Sequence, residues 1–316
     1  MKDISIKELK NTATQMRMKV IDMIYKAQSG HPGGSLSAAD FVTACYFKYM
    51  NIDPKDPRWP DRDRMVLSKG HVCPIQYACL ASVGFFPESE LDTLRKEGSM
   101  LQGHPSMNRC PGIDISTGSL GQGLACAVGM AMAGKMDHKD YKVFCVVGDG
   151  EAQEGEIWEA ANTAHKYGLD NLIVFVDYNN LQLDGTCDEI MPNGDLGEKF
   201  KAFGWETLEL DGHSMEEIVA CIDKCYASKN GKPIMHLSRL GEVCRRDQIK
   251  IGIITVPAEQ AQSVCDLLIS NGILAIWNFA PKHLNVPDHI LVQNENMAAS
   301  LALLCKHLNE QMKAEE

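Results

Sequence analysis

The 316-residue chain has no Cys-x-x-Cys pair, no run of Lys and Arg, and no apolar stretch near the roughly 20 residues that cross a bilayer. The first absence argues against a disulfide or structural-metal framework, which needs clustered spacing. The twelve cysteines are instead scattered, as at Cys45, Cys73, Cys79, Cys110, Cys126 and Cys145. Cys145 falls within an apolar run and reads as a small core filler. Cys221 and Cys225, four apart on a helix face, carry no site by themselves, so reduced thiols are expected. The second absence, with a net charge of −11 and a pI near 5.4, argues against a nucleic-acid groove. The third leaves no spanning helix, and the charged start (Lys2, Asp3, Lys7, Glu8, Lys10) does not look like a signal peptide. The expected location is the cytoplasm, with no membrane or nucleic-acid partner. What is present suffices for a sizeable core, since 45% of the residues are hydrophobic. The length suits one large or two ordinary domains.

The stretch from Tyr141 to Gly185 organises the rest. An apolar run (Val143 to Val147) leads into Gly148-Asp149-Gly150, a helix-length segment follows, and a second apolar run (Leu172 to Val176) ends in Asp177-Tyr178-Asn179-Asn180. This pattern predicts a strand, helix, strand unit with parallel strands. Asp149 and Asn179 then stand side by side at the carboxyl edge of the sheet, where open α/β folds bind ligands. A hard cation such as Mg²⁺ takes oxygen ligands, few from protein and the rest from phosphate and water. Asp149, the Asn179 amide and the Leu181 carbonyl would leave room for a diphosphate. Gly148 and Gly150, lacking Cβ, permit its close approach. Taken singly, GDG is a common tight turn and NN a common loop; each following a buried strand, the two together point to a cofactor.

GDG followed about thirty residues later by NN resembles the thiamine diphosphate signature, and GDGEAQEGEIWEAA looks like transketolase. The resemblance runs from the N-terminus to about Pro233. It implies an α/β fold, a parallel sheet with helices on both faces, binding thiamine diphosphate with Mg²⁺ or Ca²⁺.

Before that stretch, a first helix is expected over Ser5 to Ser29, with Ile6, Leu9, Met16, Met18, Ile21 and Ile24 fitting one buried stripe imperfectly. It stops at Gly30-His31-Pro32-Gly33-Gly34-Ser35, read as a loop before a new helix N-terminus, where free amides face a ligand. Asp53 to Asp63 reads as a surface connection. Met65 to Leu67 is a short strand, followed by Ser68-Lys69-Gly70-His71. His104 lies in LQGHP, and GSLGQG from Gly118 opens a small-residue helix from Leu124 to Gly134. Glycine at that density lets the backbone crowd a ligand, or lets helices pack closely. Imidazoles that titrate near neutrality can exchange protons and hydrogen bonds with sugar oxygens.

The resemblance implies that His31, His71 and His104 contact substrate and cofactor. It places Gly118 and Leu120 at the aminopyrimidine and diphosphate region, and makes Glu154 the glutamate that supports the diphosphate end and a dimer contact. His31 and His71 also separate the chain from deoxyxylulose phosphate synthases, whose matching segments read differently.

Residues 234–316 depart from this pattern. A transketolase would continue past Gly-Lys-Pro into a strand and a Lys-Gly-Lys-Gly loop, and that loop is missing. The tail reads as a strand (Ile249 to Val256), a helix opened by Pro257 and stopped at Asn271-Gly272, strands Leu274 to Trp277 and Ile290 to Val292, and a last helix from Asn296 to Leu308. It resembles the C-terminal half of the NAD-binding domain of Rex-type redox-sensing repressors, in TVPAE, NFAP and the final helix. It lacks both a winged helix and a G-x-G-x-x-G turn, so independent NAD or DNA binding is not expected. Such a partial Rossmann-like segment would leave a sheet edge unpaired. Two explanations stand for the junction: a fusion whose tail is separate, or Ile249 to Val256 substituting for the missing transketolase strand.

The expected division is thus a diphosphate-binding domain, 1–233, and a partial Rossmann-like segment, 234–316. The resemblance implies two-carbon ketol transfer from a ketose phosphate to an aldose phosphate, as in the pentose phosphate pathway. In the family a glutamate from a pyrimidine-binding domain is also required, and nothing in the chain resembles that domain. A C-terminal partner subunit is therefore expected, in a homodimer or heterotetramer, and the chain alone is expected to be inactive. The alternatives are another thiamine diphosphate enzyme (a ketol synthase or decarboxylase) or a non-catalytic redox-sensing, NAD-related regulatory fusion.

Overall fold

The computed structural model describes residues 2–182, 185–228, 234–239, 250–254, 258, 261–270 and 272–294. The chain divides into two compact units, Met1–Gln182 with Thr186–Leu240, and Leu183–Gly185 with Gly241–Glu316.

The first unit is built on five parallel strands: β1 (Arg64–Leu67), β2 (Val143–Gly148), β3 (Leu172–Tyr178), β6 (Glu206–Leu210) and β7 (Ile234–Arg239), in the order β1-β2-β3-β7-β6. β2 is buried along its whole length and β3 nearly so, as expected of apolar runs covered on both faces. One face carries α1 (Ile6–Ala27), α3 (Ala39–Ala44), α4 (Cys73–Val83) and α9 (Met215–Ala227) over a core that includes Phe41 stacked on Phe175, ring centroids 4.2 Å apart. The other face carries α5 (Gln122–Met136), α6 (Gly155–Lys166) and α8 (Leu196–Ala202) around Ile157, Phe200 and Trp205. Between β3 and α8 lie a short ribbon of β4 (Leu181–Gln182) and β5 (Gly185–Thr186), and a single turn, α7 (Cys187–Ile190).

α1 starts where the sequence signals it. Ser5 and Glu8 form a capping box, each side chain bonding the other's backbone N–H. Its buried stripe is Leu9, Ala13, Met16, Val20 and Met23. Met18 and Ile21 do not belong to that stripe; they are exposed with Tyr25 on the opposite side. The expected loop at Gly33-Gly34 is instead the first turn of α2 (Pro32–Ser37), with His31 as its N-cap. Proline at the first helical position suits that start, because its missing N–H would have had no intrahelical partner.

The strand thought to be missing after Gly-Lys-Pro is present. β7 pairs with β3 on one side and β6 on the other, so the main sheet runs past the 233/234 boundary. Ile249 to Val256 therefore does not substitute for it. β8 (Ile251–Ile254) pairs with β9 (Ala275–Asn278), which pairs with β10 (Leu291–Asn294), in a separate parallel sheet. Helix α10 (Ala261–Ser270) contributes Ala261 and Cys265 to a small core with Ile254, Ile273 and Ile276. Ile251, Ile253, Trp277 and Leu291 are exposed. Gly272 ends α10 at φ +90°, as the Asn-Gly stop requires. Pro257 and the last expected helix, Asn296 to Leu308, lie outside the described residues.

The ten cysteines among the described residues are free thiols, Cys145 fully buried in β2. Among the described residues no helix is long and apolar enough to cross a membrane.

Candidate functional site

Parallel strands bring their carboxyl ends to one edge, and the functional side chains collect there. Gly148 pairs in register with Asp177, so Asp149 emerges beside Tyr178 and Asn179 follows one step on. Asp149 is 2% exposed. Its Oδ1 accepts the Gly150 N–H at 2.8 Å and its Oδ2 accepts the Asn180 N–H, so the loop after β3 closes over the carboxylate. The loop can turn because Asn180 adopts φ +56°, a left-handed conformation that Asn tolerates better than most residues. The Asn179 amide oxygen accepts the Leu181 N–H at 2.9 Å, and Leu181 is partly exposed in β4. The loop after β2 that carries Asp149 is thus hydrogen-bonded to the turn after β3 that carries Asn179 and Leu181. Burial, and then the nearby Asp177 charge, push the Asp149 carboxyl up to about 6.

The three histidines come from three separate segments. His31 caps α2, His71 lies in the turn Gly70–Val72 after β1, and His104 lies in the loop before α5. The His31 and His71 rings stand 5.1 Å apart between centroids. Gly118, at φ +148°, lies against His104; a Cβ there would come within 3.1 Å of the ring. Gly34 does the same service beside His71, where a Cβ would meet Val72 at 2.7 Å and the His71 Nε2 at 3.7 Å. Burial, then Lys69, His31 and His104, drive the His71 pKa down to about 4, with Asp177 opposing. His31 and His104 are also lowered, by partial burial first and Arg95 second. All three rings are therefore neutral at pH 7.

A test follows for His71. Its folded pKa lies below the unfolded value near 6.5, so its stabilising contribution is complete above pH 6.5 and is lost as pH falls from 6.5 through 4. In an NMR titration the His71 ring resonances should stay flat between pH 8 and 5.5; a midpoint above 6 would contradict this geometry.

Lys69 joins the histidines to the Asp149 loop. It leaves the end of β1, passes over β2 and pairs with Asp177 on β3, both side chains being buried. Gly148 makes the crossing possible: a Cβ there would stand 3.3 Å from the lysine Cδ. Ser37 Oγ donates to the other Asp177 oxygen at 2.6 Å. Beneath it, buried Glu151 accepts Ser68 Oγ at 2.5 Å, the Gly121 N–H at 2.8 Å and the Gly148 N–H at 3.0 Å. That one carboxylate fastens the ends of β1 and β2 to the start of α5. Sequence reading missed Lys69, Glu151 and Arg95. It also passed over the buried Asp40, which accepts from Arg17 and lies 3.0 Å from Nδ1 of His213 at the edge of β6. Leu120 and Glu154 sit together on an exposed face, where a Cβ on Gly121 would meet the Glu154 stem at 3.2 Å.

The donor set fits a cation held with a diphosphate. Its oxygens are hard ligands, and Asp149 and Asp177 are two buried carboxylates with one Lys69 between them. Among the described residues no cluster of three His, Cys, Asp or Glu could hold a metal alone, so phosphate and water would have to complete the shell. Along the same edge Asn180 Oδ1, Gln182 Nε2 and Thr117 Oγ1 are buried with no hydrogen-bond partner among the described residues. Buried polar atoms left unmatched cost about 1–3 kcal/mol each, and a polar ligand would satisfy them. Gly150 leaves an approach that a Cβ would narrow, meeting Gln182 at 3.3 Å.

Residues 9–240 match the family model described as transketolase, thiamine diphosphate binding domain, and residues 210–282 match one described as CoA binding domain. The chain is 48% identical over 230 residues to the 6-deoxy-6-sulfo-D-fructose transketolase subunit SqwG of Clostridium sp. strain MSTE9, covering 73% of this chain and 83% of that one. It is 43% identical over 216 residues to an apulose-4-phosphate transketolase subunit of Phocaeicola vulgatus, covering 68% and 76%. Among solved structures, transketolase from Campylobacter jejuni superposes with a TM-score of 0.70 at 35% identity, over 75% of this chain and 38% of that one. The chain thus spans well under half the length of the single-chain enzymes it matches, and most of the length of the subunits.

Proposed function

The chain belongs to the transketolase family, and on that premise we propose that it is the diphosphate-binding subunit of a two-chain transketolase, transferring a two-carbon ketol unit from a ketose phosphate to an aldose phosphate. The observation that carries this reading is the meeting of three neutral imidazoles at one sheet edge, with Lys69 reaching across β2 from beside them to a buried carboxylate on β3.

Asp149, the Asn179 amide and the Leu181 carbonyl would hold Mg²⁺ or Ca²⁺, with Gly148 and Gly150 leaving space for the diphosphate. Gly118 and Leu120 would face the rest of the cofactor. When bound, thiamine diphosphate supplies a nucleophilic carbon and an electron sink for the two-carbon unit. The histidines act on the sugars. A neutral imidazole offers one N–H donor and one acceptor nitrogen, so the set can take a hydroxyl proton at one ring and donate a hydrogen bond to a carbonyl oxygen from another. Their lowered pKa values favour leaving one nitrogen of each ring unprotonated at pH 7. Glu154, exposed on the face next to Leu120, would meet a second chain.

The subunit names of the relatives and the open face at His31, His104, Leu120 and Glu154 support a partner that carries the pyrimidine-binding domain. Residues 1–240 would do this work, with the tail beyond it a separate segment. The test is a ketol-transfer assay with this chain, with a candidate C-terminal partner, and with both. Activity at least tenfold above either chain alone is expected; equal activity with and without the partner would refute the two-chain reading.

A further inference from the structure

Arg95 is held beside the histidines by backbone geometry rather than by a regular element. It follows the turn Glu88–Thr93, adopts φ +60°, and donates its backbone N–H to the Leu101 carbonyl at 2.8 Å. A left-handed conformation costs a non-glycine residue roughly 1–2 kcal/mol. The conformation aims the side chain back toward the α1–α2 junction. There Nη1 donates to Ser29 Oγ at 2.8 Å, and Nη2 stands 3.5 Å from Nδ1 of His31. Gly103 forms the floor: a Cβ there would press to 3.1–3.3 Å against Nε, Cζ and Nη2. The guanidinium is thus set by three neighbours, and His31 meets one of its edges.

A guanidinium has five N–H donors and no acceptor. A nitrogen facing it makes a favourable contact only by presenting a lone pair, so this contact favours His31 with Nδ1 unprotonated. Turned over, the ring would bring a C–H against the cation and lose that lone-pair contact. A neutral imidazole with Nδ1 bare carries its proton on Nε2. The other titratable groups around the ring are His71, 5.1 Å away between centroids, and His104. Neither supplies a carboxylate that would draw a second proton onto His31.

We propose that Arg95 is a positioning residue that fixes His31 as its Nε2–H tautomer, so that this ring meets substrate as a hydrogen-bond donor. The part concerning substrate rests on the transketolase reading above; the tautomer does not. His31 then gives its bond to a sugar oxygen, and proton acceptance falls to the remaining rings. The downward pull of Arg95 on the His31 pKa acts in the same direction, opposing the imidazolium form.

The test uses the full chain labelled with ¹⁵N-histidine, with the His31 signals identified by their absence in His31→Gln. A two-bond ¹H–¹⁵N spectrum at pH 7.5 should show a protonated Nε2 and an unprotonated Nδ1. In Arg95→Met the two nitrogens should average toward each other as tautomers mix, and the His31 titration midpoint should rise by roughly half to one pH unit. Gly103→Ala displaces the guanidinium while keeping its charge, and should also mix the tautomers. It keeps the test open if Arg95→Met folds poorly. A protonated Nδ1 in the parent chain, or an unchanged tautomer in both variants, would overturn the proposal. The spectra need neither cofactor nor partner chain, so a failed ketol-transfer assay would sink the activity and leave the tautomer standing, and the reverse.

Discussion

An Asp149→Ala chain is expected to gain no thermal stability from thiamine diphosphate plus Mg²⁺, whereas the parent chain gains roughly 5–10 °C at a hundredfold excess over Kd. The parent effect is mass action, about 2.7 kcal/mol at that excess, read on the first unit. In the assembled enzyme ketol transfer should fall at least a hundredfold, since even groups that only orient metal ligands cost 10–100-fold when removed. The reason lies in where Asp149 sits. It is buried, two backbone N–H groups hold both its oxygens, and Asp177 adds a second negative charge nearby. Its folded pKa of about 6 exceeds the unfolded value near 3.9. Without a cation the ionised form is therefore penalised above pH 6, and the penalty is relieved as pH falls from 6 toward 3.9. A divalent ion reverses that balance. Cofactor affinity should be level above pH 6 and drop about tenfold per unit below it. NADH should produce no shift in either chain. A shift with thiamine diphosphate that survives in Asp149→Ala would defeat the site assignment.

The second large effect is on stability. Lys69→Met should destabilise the first unit by about 3–5 kcal/mol, the cost of breaking a buried pair from one side. The two side chains are only 4% and 1% exposed, so no solvent replaces the lost ammonium. Among the described residues Ser37 would remain as a side-chain donor to Asp177. Replacing both partners, as Lys69→Met with Asp177→Leu, should recover much of the loss, because a buried pair is worth little against a well-packed apolar substitute. Urea midpoints for the parent, both single variants and the double variant close the cycle. A single-variant loss below 1 kcal/mol, or simple additivity, would mean that the pair is not coupled as described.

What sequence reading could find was whatever leaves a periodic or compositional trace. β2 and β3 are apolar runs, GDG and NN punctuate their ends, and parallel pairing then gathers Asp149 and Asn179 at one edge. The histidines stood out because each adjoins glycine in a short motif. Arg95 gave no such signal, since its placement comes from one left-handed residue and from Gly103 eight positions on. Lys69 and Asp177 are 108 residues apart, and only the strand order reveals that one crosses β2 to reach the other. β7 was overlooked because Ile-Met-His-Leu-Ser-Arg does not read as an apolar run. Its strand character comes from the pairing partners on either side. The outward Met18 and Ile21 show the opposite limit: apolar letters on a helix do not say which side is covered.

The order of strands along the chain differs from their order in the sheet. β6 emerges from the ribosome before β7, yet its only place in the sheet is beside β7. Without residues up to Arg239, β3 and β6 each lack the strand that lies between them in the sheet. Shortening the gene to the point where the family resemblance fades, near Pro233, would therefore remove the wedge that joins the two parts of the sheet, not a dispensable tail.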